Sequence, residues 1–528
     1  MPPMPDRGAA DIVLINPRFE ASYWGLERAL PLLGKRTAMP VASLPLLAAL
    51  TPAEHRVRIV DENVEPLDFE TIARADIVGV TGMSVQRSRM REILAELRRR
   101  RVFTVVGGPW VSVNEGYFGD LASTIVVGEA EDTWPQFLDD WRSGRPRCRY
   151  EQPARTDMTR VPVPRYDLLQ MRHYLFGSIQ FSRGCPFQCE FCDIIVTFGR
   201  RPRLKTAAQI VGELDALLVH GMEIVFIVDD NLIGNKKAVA PLLEAVRDWQ
   251  ESHGFPFVFV TEASLDLAED PALMRLMLDA NILSVFIGIE TPNEASLLET
   301  KKHQNVKSGR TLVDRVRAVQ GAGLEVWSGM ILGFDHDDET IFAAQRQFLH
   351  DARIAQAMIG MLYAIPKTPL HNRLAAAGRL DPDDDSLFGT NVLPARLSRD
   401  ALRDGYVLLM EDIYRPDAYF ARLSGGLGDS SRPFAPARAR YWRRHPLARF
   451  KRQASNLVRA AGLFARLMRG VDDPDLRARY RREVAKQMRS RRDPGHLFGY
   501  LIRCALHYHH YTLAREMASH QHRLVNSF

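Results

Sequence analysis

The sequence predicts an α/β protein: a doubly wound parallel sheet, then a partial barrel of six βα units, then a mostly helical extension. Three observations predict it. Short runs rich in β-branched residues alternate with helical stretches through residues 1–150, and a second such series fills 177–376. Beyond about Ala377 the strand signals stop and Arg-rich, helix-forming sequence takes over.

In the first series IVLIN (12–16), RVRIV (56–60), DIVGV (76–80), VFTVV (102–106) and TIVV (124–127) read as buried parallel strands. Pro45–Leu50, Phe69–Ala73, Arg87–Arg100 and Val113–Leu121 read as helices between them. Ligands of such sheets bind at the C-terminal strand ends. Those ends carry Thr81-Gly82-Met83-Ser84, Gly107-Gly108-Pro109 and Gly128-Glu129, where glycine lets a backbone approach a large ligand closely. Three such turns at successive strand ends favour a site over plain turn chemistry. The Pro- and Arg-rich stretch from about Gly144 to Arg165 reads as a linker, placing boundaries at 1–150, 151–176, 177–376 and 377–528.

In the second series GSIQFS (177–182), EIVFIVDD (223–230), FVFVTEA (257–263), SVFIGIE (284–290), LEVWSGMIL (324–332) and QAMIGMLYAI (356–365) read as strands. Thr206 is placed to cap a helix over 206–220. A site is expected at the C-terminal mouth of this partial barrel. In the extension, Ser424–Pro436 reads as a loop.

Composition narrows the function classes. The chain has 528 residues, 46% hydrophobic and 25% charged, which excludes a disordered or fibrous protein. No apolar run approaches the ~18 residues of a membrane helix, and the N-terminus lacks a secretory pattern, so a cytoplasmic location is expected. Five cysteines cannot form a disulfide framework, and three of them lie within eight residues. These are Cys185, Cys189 and Cys192 in RGCPFQCEFC, directly after the first strand of the second series. Three thiolates on one loop suit three irons of a cubane, leaving the fourth iron without a protein ligand. Cys148 and Cys504 stand far off in sequence, and no histidine lies between His173 and His220 to complete a zinc site.

The spacing C-x3-C-x2-C, with Phe191 before the last cysteine, resembles the radical S-adenosylmethionine (SAM) superfamily. The resemblance implies a 4Fe-4S cluster whose open iron is chelated by SAM. It also implies an external electron donor of flavodoxin or ferredoxin type, and cleavage of SAM to a 5′-deoxyadenosyl radical. It places Asp229, Asp230 and Asn231 near the methionine amine, Glu262 and Ser264 near the ribose, and Gly288 and Glu290 beside the adenine.

Residues 1–150 resemble the Rossmann-like cobalamin-binding module that precedes the radical domain in one large subfamily. The motifs are NPRF (16–19), DEN (61–63), TGMSVQ (81–86), GGPWVS (107–112) and VGEAE (127–131). Thr81, Ser84, Gly107, Gly108, Gly128 and Glu129 are the implied cobalamin contacts. With SIQFSRGCPFQCEFCDI, GIETP and PKTPL, most of the chain is similar to the hopanoid C-2 methylase-like group. That resemblance implies methylation of an unactivated carbon through the 5′-deoxyadenosyl radical and methylcobalamin, on a small-molecule or lipid substrate. One departure stands out: neither His55 nor His173 lies in Asp-x-His-x-x-Gly, so the histidine that replaces the lower cobalt ligand in other cobalamin domains is missing. A rearrangement, a cyclisation, transfer of another SAM fragment, and a non-catalytic iron–sulfur or zinc protein stay open as alternatives.

Two features of the extension remain. Arg438–Arg492 holds 18 basic and 4 acidic residues. Solvated Arg-rich helix faces explain this, and so does peripheral contact with an anionic membrane. With no zinc finger or aromatic RNA-binding strand, nucleic acid is not expected. Cys504, His507 and Tyr508 fall on one helical face, where a half-buried aromatic helix is the commoner explanation than a metal site.

Overall fold

The computed structural model describes residues 7–381, 389–427, 436–490 and 493–519. The chain divides into two units, each assembled from three segments. The first comprises residues 1–20, 39–235 and 364–380; the second comprises 21–38, 236–363 and 381–528.

The first unit is built on six strands: β1 (Asp11–Asn16), β2 (Arg56–Asp61), β3 (Ile77–Thr81), β4 (Thr104–Gly107), β5 (Thr124–Val127) and β6 (Arg149–Glu151). They are all parallel, in the order β2-β1-β3-β4-β5-β6. Successive side chains point to opposite faces, and both faces are apolar. Val13, Ile15, Val78, Val80 and Val106 pack with Met90, Ile93, Leu94 and Leu97 of helix Arg87–Arg99. Ile12, Leu14, Ile77, Val105 and Val126 pack with Leu44, Trp134, Phe137 and Trp141 of helices Ser43–Leu50 and Thr133–Arg142. Strand order reverses between β1 and β3, so the crevice of the doubly wound sheet opens at Asn16 and Thr81.

Two expectations change here. The expected helix Val113–Leu121 is instead Pro109–Val113 followed by a single turn at Glu115–Phe118. Pro109 favours a helix start, and Gly119 at φ 54° closes the turn. The stretch read as linker contains β6, whose Arg149 and Glu151 are exposed. An edge strand with one buried residue shows no apolar alternation to find.

The same unit continues with β7 (Gly177–Ile179), β8 (Ser182–Arg183), β9 (Arg203–Leu204) and β10 (Ile224–Ile227). β7 and β10 pair in parallel, while β8 and β9 pair antiparallel and clasp the base of loop 184–202. Thr206 caps helix Ala207–Val219: Gln209 N donates to Thr206 Oγ1 (3.2 Å) and Thr206 N donates to Gln209 Oε1 (2.8 Å).

The second unit carries β11 (Val258–Glu262), β12 (Ile282–Glu290), β13 (Glu325–Leu332) and β14 (Ala357–Met361), parallel and paired in that order. Helices Arg399–Tyr414, Pro416–Leu427, Pro436–Arg444, Pro446–Gly470, Pro474–Ser490 and Pro494–Ala518 follow. Ser424, read as the start of a loop, lies within a helix; residues 428–435 of that expected loop lie outside the described residues.

Candidate functional site

The cysteine loop is fastened by carboxylates rather than by apolar packing alone. Asp229, just beyond β10, is buried, and its two oxygens accept from Phe181 N (2.7 Å), Ser182 N (2.9 Å) and Ser182 Oγ (2.6 Å). Asp230 accepts from Gly184 N at 2.7 Å, one residue before Cys185. Burial pushes Asp229 up to about 6 and Asp230 up to about 7; the neighbouring Asp229 and Asp193 charges add to the latter. Cys185 N donates to Gly199 O (3.2 Å), and Cys192 N donates to Cys189 O (3.2 Å), folding the loop back on itself. Gly184 takes φ 95°, where an added Cβ would press on the Gly199 and Arg201 carbonyls, so glycine is required there.

A buried four-charge network ties this loop to the end of β5. Arg183 Nη1 lies 2.9 Å from Glu129 Oε1 and 2.6 Å from Glu131 Oε1. Arg203 Nη1 also donates to Glu129 Oε1 (2.9 Å), and Thr156 N donates to Glu129 Oε2 (3.1 Å). Burial opposes the charge on Glu131, but the Arg183 cation outweighs it and holds that carboxyl below its ordinary range. Glu129, implied as a cobalamin contact, is thus an ion-pair partner with both oxygens engaged. Arg183 and Glu131 fall inside the RGCPFQCEFC and VGEAE motifs, but neither their pairing nor the role of Arg203 shows in the sequence. Their partners lie roughly 50–75 positions apart in the chain, beyond any local pattern.

The five motifs of residues 1–131 all fall at C-terminal strand ends of the first sheet. Gln86 Nε2 donates to Asn16 Oδ1 (3.0 Å), joining the ends of β1 and β3 at the crevice. Phe19 N donates to Asn63 Oδ1 (2.9 Å), so the DEN motif positions NPRF. Thr81 is buried at the end of β3, and Ser84 opens the short turn after it. Gly108 takes φ 101°, and a Cβ there would collide with Thr81 Oγ1 and Gly82 N. Its need for glycine is therefore set by the protein's own loops. At Gly107 a Cβ would make ordinary contact with Val126, 3.4 Å from its O and 3.6 Å from its Cβ. Gly128 takes φ 75° and has nothing within 4 Å of a Cβ, so open space lies at the end of β5. Ser112 Oγ accepts from Gly128 N (2.9 Å) and donates to Gly108 O (3.0 Å), linking the two turns. Lys367 Nζ donates to Ser112 O (2.7 Å) and pairs with Glu115 (2.9 Å), which brings PKTPL to the same turn.

In the second unit Glu262 ends β11, and Ser264 Oγ bonds Asp266 Oδ1 at 2.5 Å. Glu290 ends β12 at φ 67° and pairs with Lys302 Nζ at 2.5 Å. Gly288 leaves room for that pair, since a Cβ there would strike both Glu290 and Lys302. Asn305 Nδ2 donates to the Gly288 and Ile289 carbonyls (3.1 and 3.0 Å). On helix Pro494–Ala518 the side chains of Cys504, His507, His509 and His510 are buried. His507 Nδ1 bonds Tyr480 Oη (2.7 Å) and its Nε2 bonds Tyr414 O (2.9 Å). His509 Nε2 bonds Ser22 O (2.9 Å). These contacts make the cluster a packing element.

The residues present fit both groups that the motifs imply. The Cys192 thiol is pushed up by burial and by the nearby Asp193, Cys189 and Cys185 charges, so thiolates there need irons to compensate them. Among the described residues no three His, Cys, Asp or Glu side chains converge on one ion. A cubane has no such requirement, because each thiolate binds its own iron. For cobalamin, the open space at Gly128, at the same C-terminal edge of the first sheet as the crevice, provides room for a large ligand.

Fold and site together define a cobalamin-dependent radical SAM enzyme. Residues 36–138 match the B12 binding domain, 179–346 the radical SAM superfamily, and 368–523 a domain of unknown function. An uncharacterised methyltransferase of Synechocystis sp. is 39% identical over 78% of this chain and 77% of its own length. The hopanoid C-2 methylase of Rhodopseudomonas palustris is 36% identical over 78% of each. The solved structure of the cobalamin-dependent SAM radical enzyme OxsB, with aqua-cobalamin and SAM bound, superposes with a TM-score of 0.62. It covers 97% of this chain and 80% of that one at 13% identity, so it speaks to fold alone. The chain belongs to the family of these two relatives, the cobalamin-dependent radical SAM methyltransferases.

Proposed function

We propose that this chain methylates an unactivated carbon of a lipid or other small molecule. The observation that carries the reading is the Glu129–Arg183 network, which ties the strand end of the cobalamin-type sheet to the cysteine loop within one compact unit. Cys185, Cys189 and Cys192 hold the 4Fe-4S cluster, and the strand ends at Asn16, Thr81, Gly108 and Gly128 receive cobalamin. Bound together with SAM, these groups supply a radical for hydrogen abstraction and a methyl donor for a carbon that is not a nucleophile. Asp229 and Asp230 act as positioning residues for the cysteine loop, and Glu262, Gly288 and Glu290 line the SAM side. A one-electron donor of flavodoxin or ferredoxin type serves the cluster, and the basic C-terminal region meets an anionic membrane. The names of relatives point to hopanoid and bacteriochlorophyllide as substrate types.

Anaerobic reconstitution with iron, sulfide and hydroxocobalamin tests the reading. About four irons per chain and release of 5′-deoxyadenosine from SAM under reduction are expected. A loaded cluster that never cleaves SAM overturns it.

A further inference from the structure

We infer that helix Pro446–Gly470 is a membrane-docking element that lies flat on an anionic bilayer, with Leu447, Phe450, Leu457 and Val458 entering its headgroup boundary. The inference deepens the membrane contact proposed above by assigning it to one helix face.

Large apolar side chains exposed to solvent are usually scattered singly. Ten stand out among the described residues, and four of them lie within twelve positions of this helix. Leu447 is 79% exposed, Phe450 70%, Leu457 54% and Val458 73%. At about 100° per residue these four, with exposed Ala454 between them, fall within an arc of about 100°. Ala460, Leu463 and Leu467, the buried residues of the helix, point to roughly the opposite side. The helix is therefore apolar on two faces, and among the described residues only one of them is covered.

Charge identifies the occupant. From Arg438 to Val471 the chain has ten Arg or Lys and no Asp or Glu. All nine residues from Arg443 to Lys451 are exposed, so Arg443, Arg444, Arg449 and Lys451 share one exposed stretch of chain with Leu447 and Phe450, at the stripe's N-terminal end. The inward arginines are already used: Arg466 donates to Leu32 O (2.6 Å), and Arg459 lies over the Phe498 ring (4.3 Å). A hydrocarbon stripe on a stretch whose charged residues are all cations suits acyl chains beneath anionic headgroups. Nucleic acid would leave three aliphatic side chains wet, and a second copy of this face would bring like charges together. Among the described residues no helix is long and apolar enough to cross a membrane, so the contact is peripheral.

Flotation of the full-length protein with vesicles tests this. Vesicles of phosphatidylcholine with 30% phosphatidylglycerol are compared with phosphatidylcholine alone. The wild type should float with the anionic vesicles only, and high salt should weaken binding. A quadruple Leu447→Ser, Phe450→Ser, Leu457→Ser, Val458→Ser variant should lose flotation. The Gln variant of Arg443, Arg444, Arg449 and Lys451 should bind roughly several-hundred-fold more weakly, from about fivefold per cation near the surface. Both variants alter exposed side chains, and unchanged circular dichroism and iron loading would confirm that they fold. Indifference of the wild type to anionic vesicles overturns the inference, as does wild-type-like flotation of the Ser variant. A dimer that the Ser substitutions dissociate, or RNA that displaces the vesicles, would assign the face to another occupant. Vesicle binding needs no cofactor, so its failure and failure of methyl transfer are separable.

Discussion

Replacing Arg183 with Met removes the cation that two buried carboxylates share. The Glu129 side chain is 1% exposed and that of Glu131 8%. In the variant Glu129 keeps Arg203 and Thr156 N, while Glu131 keeps the Thr156 hydroxyl (3.0 Å) but loses its cation. Breaking a buried pair on one side costs about 3–5 kcal/mol, a large share of the roughly 5–15 kcal/mol that holds a domain folded. The sign with pH follows from Glu131. In the wild type Arg183 holds its pKa low, so its contribution is present above the unfolded carboxylate range and is lost as pH falls. In Arg183→Met, burial is opposed only by the hydrogen bonds from Thr156 and the backbone, so that pKa rises and the variant regains stability on acidification. Urea unfolding followed by tryptophan fluorescence should show a deficit of about 3–5 kcal/mol at pH 8 that narrows at pH 5. Adding Glu131→Gln to Arg183→Met should recover about 1–2 kcal/mol by removing the stranded charge. Iron loading should fall as well, because Arg183 stands two residues before Cys185. A loss below about 1 kcal/mol, or a deficit that does not change with pH, would show that Arg183 does not stabilise the buried Glu131 carboxylate.

Cys185→Ala, Cys189→Ala and Cys192→Ala should each abolish the cluster's visible absorption, whereas Cys148→Ala and Cys504→Ala should keep it. Gly108→Val should lose retention of hydroxocobalamin through gel filtration while Gly107→Ala keeps it, since only Gly108 has a left-handed φ and an immediate clash. Asp229→Asn turns an amide toward the Ser182 N–H and should lower iron loading more than it lowers SAM affinity measured on the loaded enzyme. His507 and His509 are held neutral by burial, with pKa values pushed down to about 3 and about 4. The unfolded chain takes up protons near 6.5 and the native state does not, so stability falls below that pH. At pH 5 each histidine contributes about 2 kcal/mol of loss, and a His507→Gln, His509→Gln protein should show a shallower decline of its urea midpoint between pH 7 and pH 5.

The strands were legible because a parallel sheet buried on both faces leaves unbroken β-branched runs, as in IVLIN and DIVGV. β6 was not, because an edge strand with Arg149 and Glu151 exposed reads like the turns around it. RGCPFQCEFC was legible because three ligands sit on one loop, where local spacing carries the chemistry. The roles of Asp229 and Glu129 were not, because each acts through a partner about 50 residues away that no periodicity marks. Gly107 and Gly108 look alike in sequence; the backbone angle and the nearness of Thr81 separate them. The basic stretch was visible as composition, but which of its apolar residues lie bare depended on how helix Pro446–Gly470 packs.

Whether two cofactors serve one methyl transfer is settled by counting the two products of SAM. The reconstituted, reduced enzyme is supplied with SAM, a cell lipid extract as substrate source, and either hydroxocobalamin or none. S-adenosylhomocysteine and 5′-deoxyadenosine should appear together, with S-adenosylhomocysteine formed only when cobalamin is bound. Release of 5′-deoxyadenosine at the same rate with and without cobalamin, and no S-adenosylhomocysteine in either case, would contradict a methyl transfer served by both cofactors.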